Sequence, residues 1–452
     1  MRTAIIGLGV TGRSCLRFLS GRDDLLVVDT RPPPADAEAL RAAYPQARFV
    51  FAEPDAVGTV PSLDFSGVDR FILSPGLPLD HCLARQAREA GADLVSDIDL
   101  FCAAVSEGPV PAPVYGITGT NGKSTVTELV GHLLAACGRR PGVGGNLGDA
   151  ALDLLQPERD CYVLELSSFQ LERMAAEGFA AATILNVTDD HLDRHGSMAA
   201  YAAAKQRIYA DADRAVANRE DPLTLPAAES GVRECVTFGL DVPARGHWGL
   251  REVDGALWLS HGEQTLLAVA ELPLAGLHNA ANVLAALALI WRADIDATAV
   301  IAALRTFSGL PHRCQRVAVI GGVSYVNDSK ATNVGATLAA LRGLAEPGRR
   351  HLVLVAGGDG KGADFSPLVA PVSAHVKAVV LLGRDAPRLQ QTLEGHTRVV
   401  RVDSIEGAVR AARELALPGD VVLLSPACAS LDMFANFAAR GDAFAAAVRS
   451  LA

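Results

Sequence analysis

The sequence predicts an α/β protein of three domains built on parallel sheets. Short apolar strands alternate with amphipathic helices along most of the 452 residues, a pattern typical of βαβ units. Two glycine loops, GLGVTG and GTNGKST, each join a predicted strand to a predicted helix. A chain of this length also exceeds the size at which a single hydrophobic core keeps growing, so several domains are expected.

The first domain is predicted over residues 1–107. It opens with a strand at residues 3–8, a glycine turn and a helix, and continues with the strand LLVVDT. The stretch RFILSPG is a further strand ending in a loop, and HCLARQAREAGADLV is a helix that runs into a strand. Three prolines and a glycine in SEGPVPAPV, residues 106–114, mark the edge of this domain.

The second domain is predicted over residues 108–309 and the third over residues 310–452. The second opens with the strand VYGIT, the other glycine loop and a helix with apolar residues at i, i+3 and i+4. Strand-like pieces such as CVTFGL and ALWLS indicate a β-rich part between residues 215 and 275. The third domain alternates helices with the strands VSYVND, HLVLVAGG, KAVVLLG, RVVRVD and DVVLLSP.

Composition limits the partners and the compartment. A formal net charge of −10 argues against nucleic acid or an anionic membrane as a partner, because such binders need clustered Lys and Arg. No run of 18 uncharged apolar residues predicts a membrane span, and the apolar start is too short and glycine-rich for a signal peptide. Eight cysteines without a C-x-x-C pair fit a reducing cytoplasm.

The loop GITGTNGKST, residues 116–125, predicts a site for nucleotide phosphates. Small residues let backbone N–H groups approach an anion, and the following helix adds the positive end of its dipole. Lys123 supplies a cation for the outer phosphates, and the Ser124 hydroxyl suits a phosphate-bridging Mg²⁺. The spacing departs from G-x-x-x-x-G-K-[ST] because residue 117 is Ile. The alternative is a plain glycine turn with an exposed lysine.

The first loop is weaker evidence for a nucleotide. Gly7, Gly9 and Gly12 satisfy G-x-G-x-x-G, and Asp29 ends the second strand at the position that contacts a ribose hydroxyl in dinucleotide sites. A nicotinamide cofactor, another nucleotide or a simple strand-to-helix turn all agree with this pattern.

Acidic residues follow two strands of the second domain. Glu165 ends the strand in CYVLELSSFQLE, and ATILNVTDDHLDRHG delivers Asp189, Asp190, His191 and Asp193 into a loop. Such loops are usually solvated turns, but beside a phosphate loop their oxygens could ligate Mg²⁺.

Other polar residues have ordinary interpretations. Lys205 in AYAAAKQRIY is expected to be an exposed helix lysine, and Asn279 in GLHNAANVLAAL is a reasonable helix N-cap. The segments 327–333, 356–365 and 425–434 each follow a strand of the third domain. Their polar groups should therefore gather on one edge of that sheet.

Eight stretches together resemble the ATP-dependent muramyl ligases of peptidoglycan synthesis. They are TGTNGKST, LELSSFQLE, ILNVTDDHLDRH, AAKQRIY, LPHRCQ, NDSKATN, GGDGKGADF and LSPACASLD. The resemblance spans all three domains, and SKATN and SPACASLD are similar to the glutamate-adding members. It implies Rossmann-like first and third domains and a P-loop ATPase-like second domain, in a cytoplasmic monomer that serves cell-wall formation, cell shape and division.

The resemblance also implies a reaction. ATP phosphorylates the carboxylate of UDP-N-acetylmuramoyl-L-alanine, and the amine of D-glutamate attacks the acyl phosphate to form an amide. The Rossmann-like first domain would then hold the UDP group instead of NAD. The cofactors implied are Mg²⁺ at two sites and a CO₂-derived carbamate on a lysine, which replaces the exposed-lysine interpretation of Lys205.

Site residues are carried over from the resemblance position by position. The implied catalytic residues are Lys123, Glu165, His191 and Lys205. The ATP set is Gly119, Thr120, Asn121, Gly122, Lys123, Ser124, Thr125, Asn282, Arg313 and Asp328. The sugar-nucleotide set is Thr11, Asp29, Thr30, Ser74 and Asn146. The glutamate set is His191, Lys330, Thr332, Lys361, Ser430, Leu431 and Phe437. The metal ligands are Ser124 and Glu165 at one site, His191 and carbamylated Lys205 at the other.

Three alternatives stay open at this stage. A nicotinamide-binding sensor or dehydrogenase depends on the first loop alone. A related ligase could add L-glutamate, since chirality cannot be read from residues, whereas the N-terminal nucleotide domain argues against a folate-type glutamyl ligase. An inactive protein that keeps the fold is disfavoured by the intact Lys123, Glu165, His191 and Lys205.

Overall fold

The computed structural model describes residues 1–54, 60–108, 112–274, 276–292, 294–346 and 348–451. These form two compact units. The first comprises Met1–Gly119, Gly138–Val187 and His191–Val236, and the second comprises Thr120–Cys137, Thr188–Asp190 and Thr237–Ala452. Residues 109–111 of the expected domain edge lie outside the described residues, and the predicted boundaries at 107/108 and 309/310 stay predictions.

The N-terminal sheet is parallel throughout. Its strand order is β3-β2-β1-β4-β5, so the chain starts in the middle and winds outwards in both directions. The elements are β1 (Arg2–Ile6), α1 (Val10–Leu19), β2 (Asp24–Asp29), α2 (Ala37–Ala43), β3 (Arg48–Phe51), β4 (Arg70–Leu73), α3 (Cys82–Glu89), β5 (Asp93–Leu94) and α4 (Asp97–Ser106). Strands β1, β2 and β4 are apolar and almost wholly buried, as expected of parallel strands covered on both faces.

The central segment contributes to both units. Its elements are β6 (Val114–Thr118), α5 (Lys123–Ala136), β7 (Pro141–Gly145), β8 (Cys161–Glu165), α6 (Ser168–Leu171), β9 (Ala181–Ile184), α7 (Leu192–His195), α8 (Met198–Gln206), β10 (Arg214–Asn218), β11 (Glu234–Phe238), β12 (Trp248–Val253), β13 (Ala256–His261), β14 (Gln264–Ala268), α9 (Leu277–Ile290) and α10 (Ala297–Leu304). In the first unit the parallel order is β10-β9-β6-β8-β7. In the second, β12, β13 and β14 form an antiparallel meander, which confirms the β-rich part.

The C-terminal sheet has the order β15-β16-β20-β17-β18-β19, in which only the β15–β16 pairing is antiparallel. The elements are β15 (Gln315–Ile320), β16 (Val323–Asn327), α11 (Val334–Gly343), β17 (Leu352–Gly357), α12 (Val369–His375), β18 (Val376–Leu382), α13 (Ala386–Leu393), β19 (Arg398–Arg401), α14 (Ile405–Leu415), β20 (Val421–Leu424) and α15 (Phe437–Arg449). The predicted α/β class with parallel sheets is thereby confirmed.

One hydrophobic core joins the N-terminal and central sheets of the first unit. Apolar side chains of α1 and α4, among them Leu16 and Phe101, belong to the same buried cluster as Tyr162 on β8 and Ile184 on β9. The rings of Phe101 and Tyr162 meet edge to face with centroids 5.1 Å apart. This unit is therefore packed as a single body.

The described residues contain no helix that is both long and apolar enough to cross a lipid bilayer.

Candidate active site

The first glycine loop is shaped by close packing between β1, α1 and β4. A Cβ on Gly12 would lie 1.9 Å from the Gly7 carbonyl oxygen, and a Cβ on Gly7, whose φ is +98°, would lie 2.6 Å from the Ser74 Cβ. Only glycine fits at these two positions, since any side chain would push helix and strands apart. Ser74, from the predicted sugar-nucleotide set, thus borders the loop directly.

Asp29 anchors this loop from the end of β2. Its Oδ2 accepts hydrogen bonds from the Leu8 N–H at 2.6 Å and from Arg31 Nη2 at 2.7 Å, and its Oδ1 accepts from the Arg31 backbone N–H at 2.8 Å. Burial raises the pKa of this carboxyl, but Arg31 and the two N–H donors outweigh burial and lower it overall. Asp29 is therefore a carboxylate that holds the loop and a guanidinium together.

A cleft of about 260 Å³ opens beside Asp29, lined by Leu8, Arg13, Asp29, Arg31, Pro32 and Pro34. Arg13 is fixed there by two hydrogen bonds to Asp36, of 2.6 and 2.9 Å. Two guanidinium groups beside one cleft suit an anionic ligand. Thr11, in the first turn of α1, and Thr30, next to Asp29, are both half-buried.

Glu165 ends β8 and is 3% exposed. Its Oε1 accepts a hydrogen bond from the exposed Asn146 Nδ2 at 2.8 Å. Its Oε2 is buried and has no hydrogen-bond partner among the described residues. A buried carboxylate oxygen without a donor is costly unless a cation binds it, so this atom fits a metal ligand.

Lys205 is buried, with only 1% of its surface exposed, so its interpretation as an exposed helix lysine is wrong. Its Nζ donates to the Gly119 carbonyl oxygen at 2.9 Å and to Thr118 Oγ1 at 3.4 Å, and lies 4.5 Å from the Tyr201 ring centroid. The residue lies on the face of α8 that packs inwards, towards the end of β6. Helical periodicity alone does not indicate this burial, because both hydrogen-bond partners lie more than 80 residues earlier in the chain.

His191 lies in the left-handed region, with φ of 55°, directly before α7. It is exposed, and its ring centroid lies 5.0 Å from that of Phe169. The left-handed turn lets the chain reverse after β9 and start α7 within a few residues.

The second glycine loop leads into α5, whose N-cap is Gly122 with φ of 87°. Among the described residues no side chain caps this 14-residue helix, and the positive end of its dipole suits an anion. Lys123 Nζ donates to the Thr120 carbonyl oxygen at 2.9 Å. Thr120 Oγ1 in turn accepts from the Thr188 N–H at 3.0 Å, which fixes the loop from the side. The predicted ATP loop has the form of a phosphate cradle.

Arg313 and Asp328 belong to the same unit as α5. Arg313 Nη2 donates to Ser124 Oγ at 2.7 Å, which brings two residues of the predicted ATP set together. Asp328 accepts from the Cys314 N–H at 3.2 Å and from Ser425 Oγ at 2.9 Å. Burial raises the pKa of Asp328 to about 7, although these hydrogen bonds and the Arg313 charge oppose it.

Asn282 lies on α9 and donates to Asn279 Oδ1 at 3.2 Å. The prediction that Asn279 is the N-cap of this helix is wrong. Gly276, with φ of 90°, takes that position, and Asn279 lies buried inside the first turn. A glycine can reverse the chain at this point without a side-chain cap.

Most of the predicted glutamate set lies at one edge of the C-terminal sheet, because β16, β20 and β17 are parallel neighbours. Lys330 Nζ lies 4.0 Å from the ring centroid of Phe437. Ser430 is buried, Leu431 is 70% exposed and Lys361 is exposed with φ of 49°. Thr332 is half-buried and donates its N–H to the Lys330 carbonyl oxygen. This confirms that the three polar segments gather on one edge.

Arg440, on α15, supports that edge and was not predicted from the sequence. Its buried guanidinium donates to Ser329 Oγ at 3.0 Å, and to the carbonyl oxygens of Ser329 at 2.8 Å, Cys428 at 3.1 Å and Gly357 at 3.4 Å. Burial lowers its pKa to about 10. It therefore ties together the loops after β16, β17 and β20. No motif marks it, since all but one of its acceptors are backbone atoms.

One unit contains the glycine loop before α5, and the other contains a cleft bordered by two arginines and a buried Glu165 oxygen without a hydrogen-bond partner among the described residues. Within the described ranges, no three His, Cys, Asp or Glu side chains gather as a metal site. An ion held here would therefore draw ligands from hydroxyl groups, phosphates or a modified lysine as well.

Comparison with known proteins supports this description. Three family models match the chain: Mur ligase MurD-like, N-terminal domain, at residues 1–96; Mur ligase middle domain at residues 117–290; and Mur ligase, glutamate ligase domain, at residues 312–428.

Curated relatives match over nearly the whole length. The UDP-N-acetylmuramoylalanine–D-glutamate ligase of Pseudomonas syringae pv. tomato is 47% identical over 99% of this chain and 97% of its own. The protein of the same name from Legionella pneumophila strain Paris is 46% identical over 99% of this chain and 98% of its own.

Among solved structures, the UDP-N-acetylmuramate-alanine ligase of Thermotoga maritima matches with a TM-score of 0.58 and 19% identity over all of both chains. This likeness shows a shared fold. Taken with the family models and the near full-length relatives, it leads to one conclusion: the chain is a member of the Mur ligase family.

Proposed function

We propose that this protein is an ATP-dependent ligase that adds D-glutamate to UDP-N-acetylmuramoyl-L-alanine in the synthesis of peptidoglycan precursors. The observation that carries the proposal is the 47% identity, over 99% of the chain, to a curated ligase of that name. The phosphate cradle around Lys123 and the anion cleft beside Asp29 agree with it, because the reaction needs one site for ATP and another for a sugar nucleotide.

The first step joins two anions. The carboxylate of the alanyl group attacks the γ-phosphorus of ATP, forming an acyl phosphate and releasing ADP. Two unit charges 4 Å apart repel by about 4 kcal/mol at an effective dielectric constant of 20, so the step needs positive charge around the phosphates. Lys123, Arg313 and the uncapped N-terminus of α5 supply it on the nucleotide side.

Mg²⁺ fits the residues present. Ser124 and Glu165 would hold one ion, and His191 and carbamylated Lys205 would hold a second. When bound, the metal neutralises phosphate charge and polarises the phosphoryl group. The buried Glu165 Oε2 without a hydrogen-bond partner supports the first site.

The second site requires Lys205 to change its chemistry. As an ammonium it donates to the Gly119 carbonyl oxygen and cannot ligate a cation. Addition of CO₂ to the neutral amine forms an N–C bond, releases a proton and turns the side chain into an anionic carbamate with two oxygens. The burial of Lys205 supports this proposal, because its Nζ lies beside Thr118 and Gly119, at the start of the glycine loop.

In the second step the amine of D-glutamate attacks the acyl phosphate. A tetrahedral intermediate forms, phosphate leaves, and the nitrogen loses a proton as the amide is completed. Lys330 and Lys361 are proposed to bind the two glutamate carboxylates, with Thr332, Ser430, Leu431 and Phe437 completing the pocket. Phe437 already holds the Lys330 ammonium beside its ring.

Phosphate release provides the test. Purified protein is incubated with UDP-N-acetylmuramoyl-L-alanine, ATP and Mg²⁺, with D-glutamate, L-glutamate or no amino acid. Release that depends on D-glutamate supports the proposal, whereas release with L-glutamate alone would favour the L-glutamate-adding alternative. NAD(H) bound to the purified protein, without any release, would favour the dehydrogenase alternative.

We further propose that the enzyme acts in the cytoplasm as a monomer on these small molecules, without nucleic acid or membrane partners. The formal net charge of −10 supports the absence of nucleic-acid and membrane partners, because it disfavours polyanionic surfaces. Sedimentation of the purified protein tests the monomeric state.

A further inference from the structure

Arg173, just after α6, has a side chain with no exposed surface. Its Nε donates to the Phe169 carbonyl oxygen at 2.7 Å. Its Nη1 donates to the carbonyl oxygens of Leu73 and Ser74, both at 2.8 Å, and its Nη2 donates to that of Leu77 at 3.1 Å. One buried guanidinium therefore grips the loop after β4 from a residue about 100 positions further along the chain.

A second guanidinium reinforces this contact. Arg194, on α7, donates to the Leu77 carbonyl oxygen at 2.7 Å and to Glu172 Oε1 at 2.6 Å. The same Glu172 oxygen accepts from Arg173 Nη2 at 2.8 Å. The carboxylate thus holds both cations in place, and their planar donors are aimed at backbone oxygens of the loop.

The two segments joined by Arg173, loop 73–77 and α6, lie next to different parts of the proposed site. Loop 73–77 carries Ser74, which borders the first glycine loop at Gly7. On the other side, α6 follows β8 and Glu165, and the Phe169 ring on α6 packs against His191. All of these residues belong to the first unit.

Building on the proposed function, we infer that Arg173 is a positioning residue for the sugar-nucleotide substrate. By fixing loop 73–77 against α6, it sets the distance from the substrate held at Ser74 to the carboxylate of Glu165. Without this support Ser74 would move away from the substrate, so the sugar nucleotide would bind more weakly in the ground state and the transition state alike, and its KM would rise.

The alternative is that Arg173 only joins the two sheets. A matched control exists for this role. Arg17 on α1 also bridges the N-terminal and central parts of the unit, through two hydrogen bonds to Asp153 of 3.1 and 2.6 Å. It is half-exposed, and Asp153, its ion-pair partner, is not a residue of the proposed site. Removing Arg17 therefore weakens the same junction without moving loop 73–77.

The experiment compares Arg173→Met, Arg173→Lys and Arg17→Met in steady-state assays, with UDP-N-acetylmuramoyl-L-alanine and ATP varied separately. We expect Arg173→Met to raise KM for the sugar nucleotide about tenfold, the loss of roughly one hydrogen bond, while kcat and KM for ATP change less than about twofold. Arg173→Lys should recover part of the loss, because an ammonium can still donate to two of the carbonyls. Arg17→Met should behave like the wild type.

Each result has one meaning. An unchanged KM for the sugar nucleotide in Arg173→Met, or an equal rise in both KM values, overturns the inference. If Arg173→Met does not fold, the test depends on Arg173→Lys. A KM for the sugar nucleotide equal to that of the wild type in Arg173→Lys would then contradict the positioning role of Arg173. An inactive wild-type enzyme would overturn the proposed function and this inference with it. An active wild type with Arg173→Met equal to Arg17→Met would overturn the inference only.

Discussion

Because Asp328 is buried, we expect the free energy of unfolding to depend on pH. Its carboxyl accepts from the Cys314 N–H and from Ser425, and burial raises its pKa to about 7 from the usual 3.8. Between those two pH values the folded protein keeps a proton that the unfolded chain has lost. Rising pH therefore lowers the free energy of unfolding, and the loss is complete above about pH 7.

The magnitude follows from the separation of the two pKa values. About three pH units, at 1.36 kcal/mol each, give a loss of roughly 4 kcal/mol between pH 4 and pH 7. The substitution Asp328→Asn removes this pH-dependent loss of stability, because the amide does not titrate. The Asn oxygen can accept from the Cys314 N–H, and its NH₂ group can donate to Ser425, so no buried group is left without a partner.

The assay is urea unfolding of Asp328→Asn and the wild type at several pH values from 5 to 8. We expect the variant to gain stability over the wild type as pH rises, with the difference levelling off near pH 7. Asp403→Asn, an exposed acid of the same C-terminal sheet region, is the control and should follow the wild type. A difference between Asp328→Asn and the wild type that stays constant over this range would refute the reasoning. ATP binding should weaken in the variant, since Asp328 is proposed to contact ATP.

Three further changes have defined outcomes. Gly12→Ala should lower stability by about 3 kcal/mol in thermal melts, because its Cβ would lie 1.9 Å from the Gly7 oxygen; an unchanged melt contradicts this. Arg440→Met should lower the free energy of unfolding in urea by about 3 kcal/mol, because the buried acceptors of Arg440 would lose their hydrogen-bond donor. Lys205→Ala should be nearly inactive in the phosphate assay and regain some rate with a small added carboxylate; full activity would remove the carbamate role.

Two of these have matched controls. Gly76→Ala meets no atom within 4 Å of its added Cβ and should melt like the wild type. Arg449→Met removes an exposed arginine from the same helix as Arg440 and should leave urea unfolding unchanged.

Sequence predicts this fold well where the pattern is local. Strands β2, β17 and β20 contain the unbroken apolar runs LLVV, LVLVA and VVLL and lead into glycine or polar loops, as expected of strands buried on both faces. Strand β15 was not predicted, because it is a partly exposed antiparallel edge strand with polar residues at its start. The position of β15 depends on its pairing with β16, and the pattern of residues within β15 does not indicate that pairing.

The site was less predictable because its chemistry depends on distant contacts. The burial of Lys205 follows from its packing against Gly119, 86 residues earlier. Arg173 and Arg440 donate hydrogen bonds largely to backbone carbonyl oxygens. Because every residue has a carbonyl oxygen, the neighbouring sequence does not indicate their partners. Only the resemblance to a known family drew attention to Lys205, and it did not indicate the other two.

The packing between Phe101 and Tyr162 has a consequence for dissecting the protein. A fragment that stops at residue 107 would lose the Tyr162 ring that covers Phe101, and we expect it to aggregate or to remain partly unfolded. A longer fragment that keeps the strands up to β10 would retain their partners. To isolate the N-terminal part, a fragment should therefore include all residues of this hydrophobic cluster instead of ending at the family-model boundary at residue 96.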